Sequence, residues 1–189
     1  MTQRAFSLAK FGRRVGTRAE GVRARDAILR ELERVPAAGK LVADLSGLEV
    51  LSGSFADEAL VTVAERLREG AFPQRYLLIK AGEDELLEDL SDRLARRGLA
   101  LLAVVGEGGG WRLLGKLPAY LEEALAWVVG RGTGTSIELA ASLGISKKSA
   151  SVRLGTLARL RLIHCVQEAR RVGGVQFRAV SLISTNANT

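Results

Sequence analysis

The sequence predicts two domains: an α/β N-terminal domain with a mixed sheet, and a smaller α+β C-terminal domain. The first observation is the order of patterns in residues 1–106, where short apolar runs alternate with longer amphipathic runs. The second is a pair of helical patterns on either side of Gly144, followed by two candidate strands. A glycine-rich stretch at 106–110 lies between the two patterns and suits a linker. We therefore expect domains at 1–106 and 118–183, a linker over 107–117 and a tail over 184–189.

The N-terminal domain has three amphipathic helices between apolar strands. Residues 4–11 alternate apolar and polar side chains, which predicts an edge strand. Apolar residues at helical spacing from Arg18 to Val35 predict a helix that Pro36 ends. Trp111 to Leu117 either adds a further strand or bridges the domains. The remaining elements are strand 40–45, helix 54–69, strand 75–81, helix 83–97 and strand 99–105.

Ser54 and Asp57 lie three residues apart at the start of the second helix and resemble a capping box, with Asp in place of Glu or Gln. This predicts that Ser54 caps the helix. Asp44, Asp57 and Glu58 fall near one turn, and grouped carboxylates can act in acid–base chemistry or hold a metal. No His or Cys lies close to them, so we expect Asp44 to end its strand and fix the following turn. We predict no catalytic residue, no metal and no cofactor.

The C-terminal domain starts with a helix from Pro118 to Val129. A second helix, which Ser136 can cap, ends at Gly144, because glycine adopts the left-handed conformation at least cost. Ser146 can cap a third helix. In that helix the residues at core-facing spacing are Ala150, Leu154 and Leu157.

Two strands follow the third helix, at 164–169 and 175–182. The turn between them carries Arg170 and Arg171. We expect a hairpin with arginines at its tip, a shape that can lie along a phosphate backbone. His164, the single histidine, is expected to mark the start of the first strand.

The net charge of +7 is unevenly distributed. Residues 118–189 hold nine Lys/Arg and four Asp/Glu, a net of +5, whereas residues 1–117 hold nineteen and seventeen, a net of +2. This excess on the shorter segment favours a polyanionic partner, although a solvated basic surface has the same composition. Aromatic residues make up only 5% of the chain, which argues against single-strand binding through base stacking.

Cys165 is the only cysteine, which excludes an intrachain disulfide and suits a reducing compartment. The longest apolar run, Leu99 to Val105, is too short to span a bilayer. The first residues lack the apolar core of a signal peptide. We therefore expect a cytoplasmic protein without a membrane partner.

One stretch of the C-terminal domain resembles a known family. It runs through Glu138-Leu139-Ala140, Leu143-Gly144-Ile145-Ser146, Ser149-Ala150-Ser151 and Leu162-Ile163. These residues resemble the winged helix-turn-helix of bacterial transcription regulators. The sequence departs from the family at Gly155, inside the third helix, and at Arg161, where the family commonly has Gly to end that helix.

The resemblance implies that the third helix enters the major groove of double-stranded DNA, and that two copies bind a palindrome as a homodimer. The DNA-contacting residues it implies are Lys147, Lys148, Ser149, Ser151, Val152 and Arg153 on the helix, with Arg170, Arg171 and Arg178 from the hairpin.

The N-terminal domain carries a second resemblance, in the segment from Val42 to Glu58. Its order of strand, Asp44, loop and Ser54-Phe55-Ala56-Asp57-Glu58 resembles a bacterial STAS-like domain of unknown function, over residues 4–106. Related STAS domains are switch and docking modules in which a partner kinase phosphorylates a serine at this turn, and the family is often encoded beside kinase-like ATPases. The resemblance implies Ser52 and Ser54 as candidate regulatory serines and a kinase-like ATPase as a partner. The simpler interpretation is that Ser54 only caps the helix.

The sequence thus predicts a sequence-specific regulator of transcription. Its C-terminal domain would bind double-stranded DNA, and its STAS-like domain would sense a signal or dock a partner. The alternative is an adaptor in which both domains bind proteins, controlling a kinase-like ATPase or the transcription machinery without touching DNA. Steep weakening of binding with salt distinguishes the first from the second.

Overall fold

The computed structural model describes residues 1–82, 84–106, 110–169 and 175–183. The chain divides into two compact units, Met1–Lys116 and Leu117–Thr189. The first unit is an α/β structure with a mixed sheet, in agreement with the predicted fold class.

The first unit alternates strands and helices. Its strands are β1 (Gln3–Ser7), β2 (Arg14–Val15), β3 (Lys40–Asp44), β4 (Val50–Leu51), β5 (Tyr76–Ala81), β6 (Ala100–Val105) and β7 (Gly110–Gly115). Its helices are α1 (Arg18–Arg34), α2 (Gly53–Ala56), α3 (Thr62–Arg68) and α4 (Glu85–Arg96). A π-helical turn, Asp57–Val61, joins α2 to α3 without a break.

The main sheet has the strand order β1-β3-β5-β6-β7. The first four strands are parallel, and β7 runs antiparallel to β6. β1 is an edge strand as predicted, but it ends at Ser7. Residues Leu8–Phe11 form a 3-10 turn instead of continuing the strand, and the Gly12 N–H closes this turn on the Ala9 carbonyl at 3.0 Å.

Two features of the first unit differ from the predicted elements. Arg14–Val15 and Val50–Leu51, which lie outside the predicted strands and helices, pair as a short parallel ladder. Of the two alternatives for Trp111 to Leu117, the structure shows the strand: Leu114 is buried and pairs with Leu101 of β6. The first unit therefore extends to Lys116, and the linker predicted over 107–117 contains β7.

The core of the first unit lies between the sheet and its helices. The helices contribute leucines and other apolar side chains that are wholly enclosed, as the spacing predicts. Helices α1 and α2 also pack closely on each other: a Cβ at Gly21 of α1 would come within 3.0 Å of the Phe55 carbonyl oxygen of α2. The enclosed helical residues include Ile28, Leu32, Phe55, Leu60, Leu87, Leu90 and Leu94.

The second unit contains three helices and three short strands in its described residues. In chain order these are α5 (Ala119–Arg131), β8 (Thr133–Thr135), α6 (Ser136–Leu143), α7 (Lys147–Arg159), β9 (Ile163–Ala169) and β10 (Val175–Ser181). The antiparallel sheet has the order β8-β10-β9, so the last of these strands is the central one. The predicted hairpin forms, and β8 is an additional strand that the spacing did not predict.

Within the described ranges, no helix combines the length and the apolar composition that crossing a bilayer requires.

Candidate nucleic-acid interface

The helix that precedes the candidate interface, α6, is capped by Thr135. The Thr135 hydroxyl accepts a hydrogen bond from the Glu138 N–H at 3.3 Å, and Glu138 Oε2 accepts from the Thr135 N–H at 2.7 Å. The prediction that Ser136 caps α6 is wrong, because Thr135 has the extended backbone of a cap and Ser136 is already helical. The bonds from the Thr135 backbone and hydroxyl hold the pKa of Glu138 below its ordinary value. This reciprocal capping box fixes the start of α6.

The turn between α6 and α7 follows the prediction. Gly144 has a φ of +63°, in the left-handed region where glycine carries no Cβ penalty. Ser146 caps α7: its Oγ accepts from the Ser149 N–H at 3.1 Å. The two caps and the glycine give α6 and α7 a defined relative geometry.

The inner face of α7 packs into the core of the second unit. Ala150, Leu154 and Leu157 are buried, as their spacing predicts, and so is Leu139 of α6. Burying such side chains stabilises the fold by about 1.5–3 kcal/mol for each large one. The opposite face of α7 is therefore held in place by the core.

The outer face of α7 carries most of the residues predicted to contact DNA. The exposed ones are Lys147, Lys148, Ser149, Ser151 and Val152. Helix α7 also has Arg153 and Arg159 and no Asp or Glu along its length. Such a helix presents unneutralised positive charge near its N-terminus, where the exposed backbone N–H groups also attract anions.

The prediction that Arg153 lies on the outer, DNA-contacting face of α7 is not met in this structure. Its guanidinium donates to Glu123 Oε2 at 2.8 Å and to the Tyr120 carbonyl at 3.2 Å, both on α5. It also lies 5.5 Å from the centroid of the Tyr120 ring, and its side chain is only 17% exposed. The spacing within α7 could not reveal this, because the partners lie on another helix. In this structure Arg153 ties α7 to α5.

Arg161 follows α7 and has a φ of +62°. This is the left-handed conformation that the family resemblance assigns to Gly at this point. The Arg161 N–H donates to the Ala158 carbonyl at 3.1 Å, and the Leu162 N–H donates to the Leu157 carbonyl at 3.0 Å. The helix thus ends without a glycine, and Arg161 carries the steric penalty of the left-handed conformation.

The predicted hairpin is formed by β9 and β10, and His164 lies at its start, opposite Val180. Arg178 lies on β10, opposite Thr135 of β8, and its charge contributes to the lowered pKa of Glu138. Burial lowers the pKa of His164 and raises that of Cys165. Arg170 and Arg171 lie outside the described residues.

The candidate regulatory serines lie at the start of α2, and the prediction for them needs a correction. Ser52, not Ser54, is the cap: its Oγ accepts from the Phe55 N–H at 3.3 Å and donates to the Gly16 carbonyl at 2.6 Å. Helix α2 already begins at Gly53, so Ser54 lies inside the first turn and is exposed. Both are candidate regulatory serines, but the sequence predicts only Ser54 as the cap, and the backbone geometry assigns the cap to Ser52.

The acidic residues near this turn are occupied by basic partners. Asp57 accepts from Arg93 at 2.7 Å, and Glu58 pairs with Arg18 and Arg25 at 3.2 and 3.3 Å. Among the residues with described positions, no group of three or more His, Cys, Asp or Glu side chains could hold a metal ion. These carboxylates therefore stabilise the packing of α1 and α4 on the α2–α3 segment.

Asp44 ends β3 and fixes the following turn, as predicted. Its Oδ1 accepts from the Ser46 N–H at 2.8 Å, and Oδ2 lies 3.3 Å from Lys80 Nζ.

Comparison with known proteins gives no functional assignment, so any assignment has to rest on the geometry described above. No protein-family model matches the chain, and no curated protein has a significantly similar sequence.

Proposed function

We propose that this protein is a sequence-specific, double-stranded DNA-binding regulator of transcription. The observation that carries the proposal is the outer face of α7, which exposes Lys147 and Lys148 at its N-terminal end and contains no carboxylate. An α-helix fits the major groove, and lysines there supply the salt-dependent attraction to phosphates. In this proposal Ser149, Ser151 and Val152 contact the base edges.

The order of elements in the second unit supports the same interpretation. A helix pair with a tight turn, followed by an antiparallel hairpin, is the arrangement in which a winged helix-turn-helix presents its second helix. The hairpin would place Arg170 and Arg171 against the flanking backbone, with Arg178 on its second strand. Binding as a homodimer to a palindrome would follow the common geometry of such modules.

Arg153 has a different role in this proposal from the lysines. Its contacts with Tyr120 and Glu123 hold α7 on α5, so it positions the reading helix. The same ion pair is the observation that favours the second candidate, an adaptor that binds protein. Because Glu123 neutralises Arg153 within the fold, α7 has fewer basic side chains available to bind a polyanion.

The first unit would sense a signal or dock a partner such as a kinase-like ATPase. A cleft of about 400 Å³ supports the sensing role. It opens beside Leu45 and Gly82, which follow β3 and β5, and in open α/β sheets ligands bind outside the carboxyl ends of strands. Its lining includes three leucines and two acidic residues, Glu49 and Glu85.

A titration by fluorescence anisotropy tests the proposal. The full chain would be titrated with a duplex selected from a random-sequence library, and with an unrelated duplex, at several salt concentrations. We expect selective binding whose affinity falls linearly with salt on logarithmic axes. Replacing Lys147 and Lys148 with Ala should reduce that slope by about 2, since each lost phosphate contact accounts for about 0.9.

The matched control removes the same charge elsewhere. Arg23 and Arg30 are exposed on α1, and replacing both with Ala lowers the net charge equally. We expect that control to keep its affinity and selectivity. Equal losses of DNA affinity in the two double variants would show that net charge alone causes the binding. Binding that depends neither on the DNA sequence nor on the salt concentration would favour the adaptor.

A further inference from the structure

Val152 is the most exposed large hydrophobic residue in the described part of the chain, with 59% of its surface accessible. It lies on the outer face of α7, one turn after Lys148. A single exposed valine is common on protein surfaces. This one, however, stands alone among polar and cationic neighbours on the face that the proposed function presents to DNA.

Gly155 lies three residues after Val152, and therefore on the same side of the helix. It is exposed, and a Cβ built on it would meet no atom within 4 Å. Packing inside the second unit thus gives no reason for glycine here. Next to the valine side chain, the surface of α7 has a gap where a partner can approach the backbone closely.

The chemistry around this feature selects a nucleic-acid partner over an apolar protein groove. Helix α7 carries four basic residues and no acidic one, which suits a polyanion. In the major groove the C5-methyl group of thymine is the apolar feature of the base edges, and apolar side chains contact it. A valine flanked by lysine and serine has the size and polarity to make that contact.

We propose that Val152 reads the C5-methyl group of one thymine in each half-site, and that Gly155 leaves the space that lets the groove edge reach it. This inference rests on the proposed function and specifies one base pair of each half-site.

Deoxyuridine is the probe, because it removes only the methyl group and leaves every hydrogen-bonding group of thymine in place. Each thymine of a selected duplex would be replaced in turn, and the affinity of the full chain measured. We expect one position per half-site at which affinity falls about threefold to fivefold, the effect of losing one buried methyl group. Exchanging that T·A pair for 5-methylcytosine·G should bind more tightly than exchange for unmethylated C·G.

Two variants link the effect to α7. Val152→Ala should bind thymine and deoxyuridine duplexes equally well. Ile137→Ala, which trims an exposed apolar residue of α6, should keep the wild-type preference. Gly155→Ala should weaken binding to the selected duplex at least threefold, while its thermal stability stays the same or rises.

The outcomes separate this inference from the proposed function. Selective duplex binding without any deoxyuridine-sensitive position overturns the inference and leaves the function intact. A sensitive position that persists in Val152→Ala also overturns it, because another residue then contacts the methyl group. Unchanged affinity in Gly155→Ala removes the role of the gap. Absence of selective binding by the full chain refutes the proposed function, and the inference with it.

Discussion

Replacing Arg153 with Ala tests whether this residue braces α7 or binds DNA. The change removes the ion pair with Glu123, the bond to the Tyr120 carbonyl and the contact with the Tyr120 ring. Glu123 is 55% exposed, so the ion pair is screened and contributes less than about 1 kcal/mol. The carbonyl bond adds about 1 kcal/mol and the ring contact about 0.5 kcal/mol.

We therefore expect Arg153→Ala to destabilise the second unit by about 2 kcal/mol, since the three contributions share one side chain. For a unit of this size the melting temperature should fall by about 8–16 °C, at about 4–8 °C per kcal/mol. Differential scanning calorimetry of the full chain measures this transition. Glu123→Gln, which removes only the ionic partner, should cost less than about 1 kcal/mol.

The DNA-binding measurement decides between the two roles. Below the melting transition, Arg153→Ala should bind a selected duplex more tightly than Lys148→Ala does, because the bracing arginine makes no direct contact. The reasoning would be refuted if Arg153→Ala melted like the wild type and lost DNA binding. Arg153 would then leave Glu123 in the complex and contact phosphate, as the family resemblance implies.

Two further predictions concern the ends of helices. Arg161→Gly should stabilise the second unit by about 0.5–1 kcal/mol, because glycine removes the steric penalty at a φ of +62°; a lower melting temperature would show that the side-chain contacts of Arg161 matter more. The pKa of Glu138 is lowered by the Thr135 backbone and hydroxyl, so its stabilising effect is present above its ordinary value of 4.5 and is lost as the pH falls through the lower folded value. Urea titrations between about pH 5 and about pH 3 should therefore show a smaller loss of stability in Glu138→Gln than in the wild type, and parallel losses would contradict this.

Hydrophobic spacing predicted the elements that bury a long apolar face. The helices at Arg18–Arg34 and Lys147–Arg159 and the strands β3, β5 and β6 follow from it, because their apolar residues recur with a regular period and have to be buried together. The two-residue ladder between β2 and β4 left no such signal. Its pairing is set by where the chain returns in space, and two residues cannot show a period.

The caps illustrate a different limit. Ser52 and Ser54, and likewise Thr135 and Ser136, offer the same hydroxyl within two residues of each other. Which one caps depends on which residue keeps an extended backbone, and this is set by the turn that enters the helix. The sequence predicts Ser54 and Ser136 as the caps, and the structure has Ser52 and Thr135 instead.

The candidate interface was predictable in composition and less so in orientation. The lysines and serines at the start of α7 are exposed as their spacing indicates. Arg153 is turned toward α5 by Glu123, which no pattern within α7 encodes. From the sequence, Gly155 is recognisable only as a departure from the family pattern inside a helix, because the open space beside it is visible only when the neighbours are in place.

The central position of β10 has a consequence for the order of folding. The caps and the turn of the helix pair are local and can form early, but Arg178 must reach back across α6 and α7 to pair with Thr135. Strands β8 and β9 lie on opposite sides of β10 and each pairs with it, so this three-stranded sheet cannot form until β10 is in place. During synthesis the helices α5, α6 and α7 can therefore pack on one another before β10 has emerged, whereas the sheet of the second unit can close only afterwards.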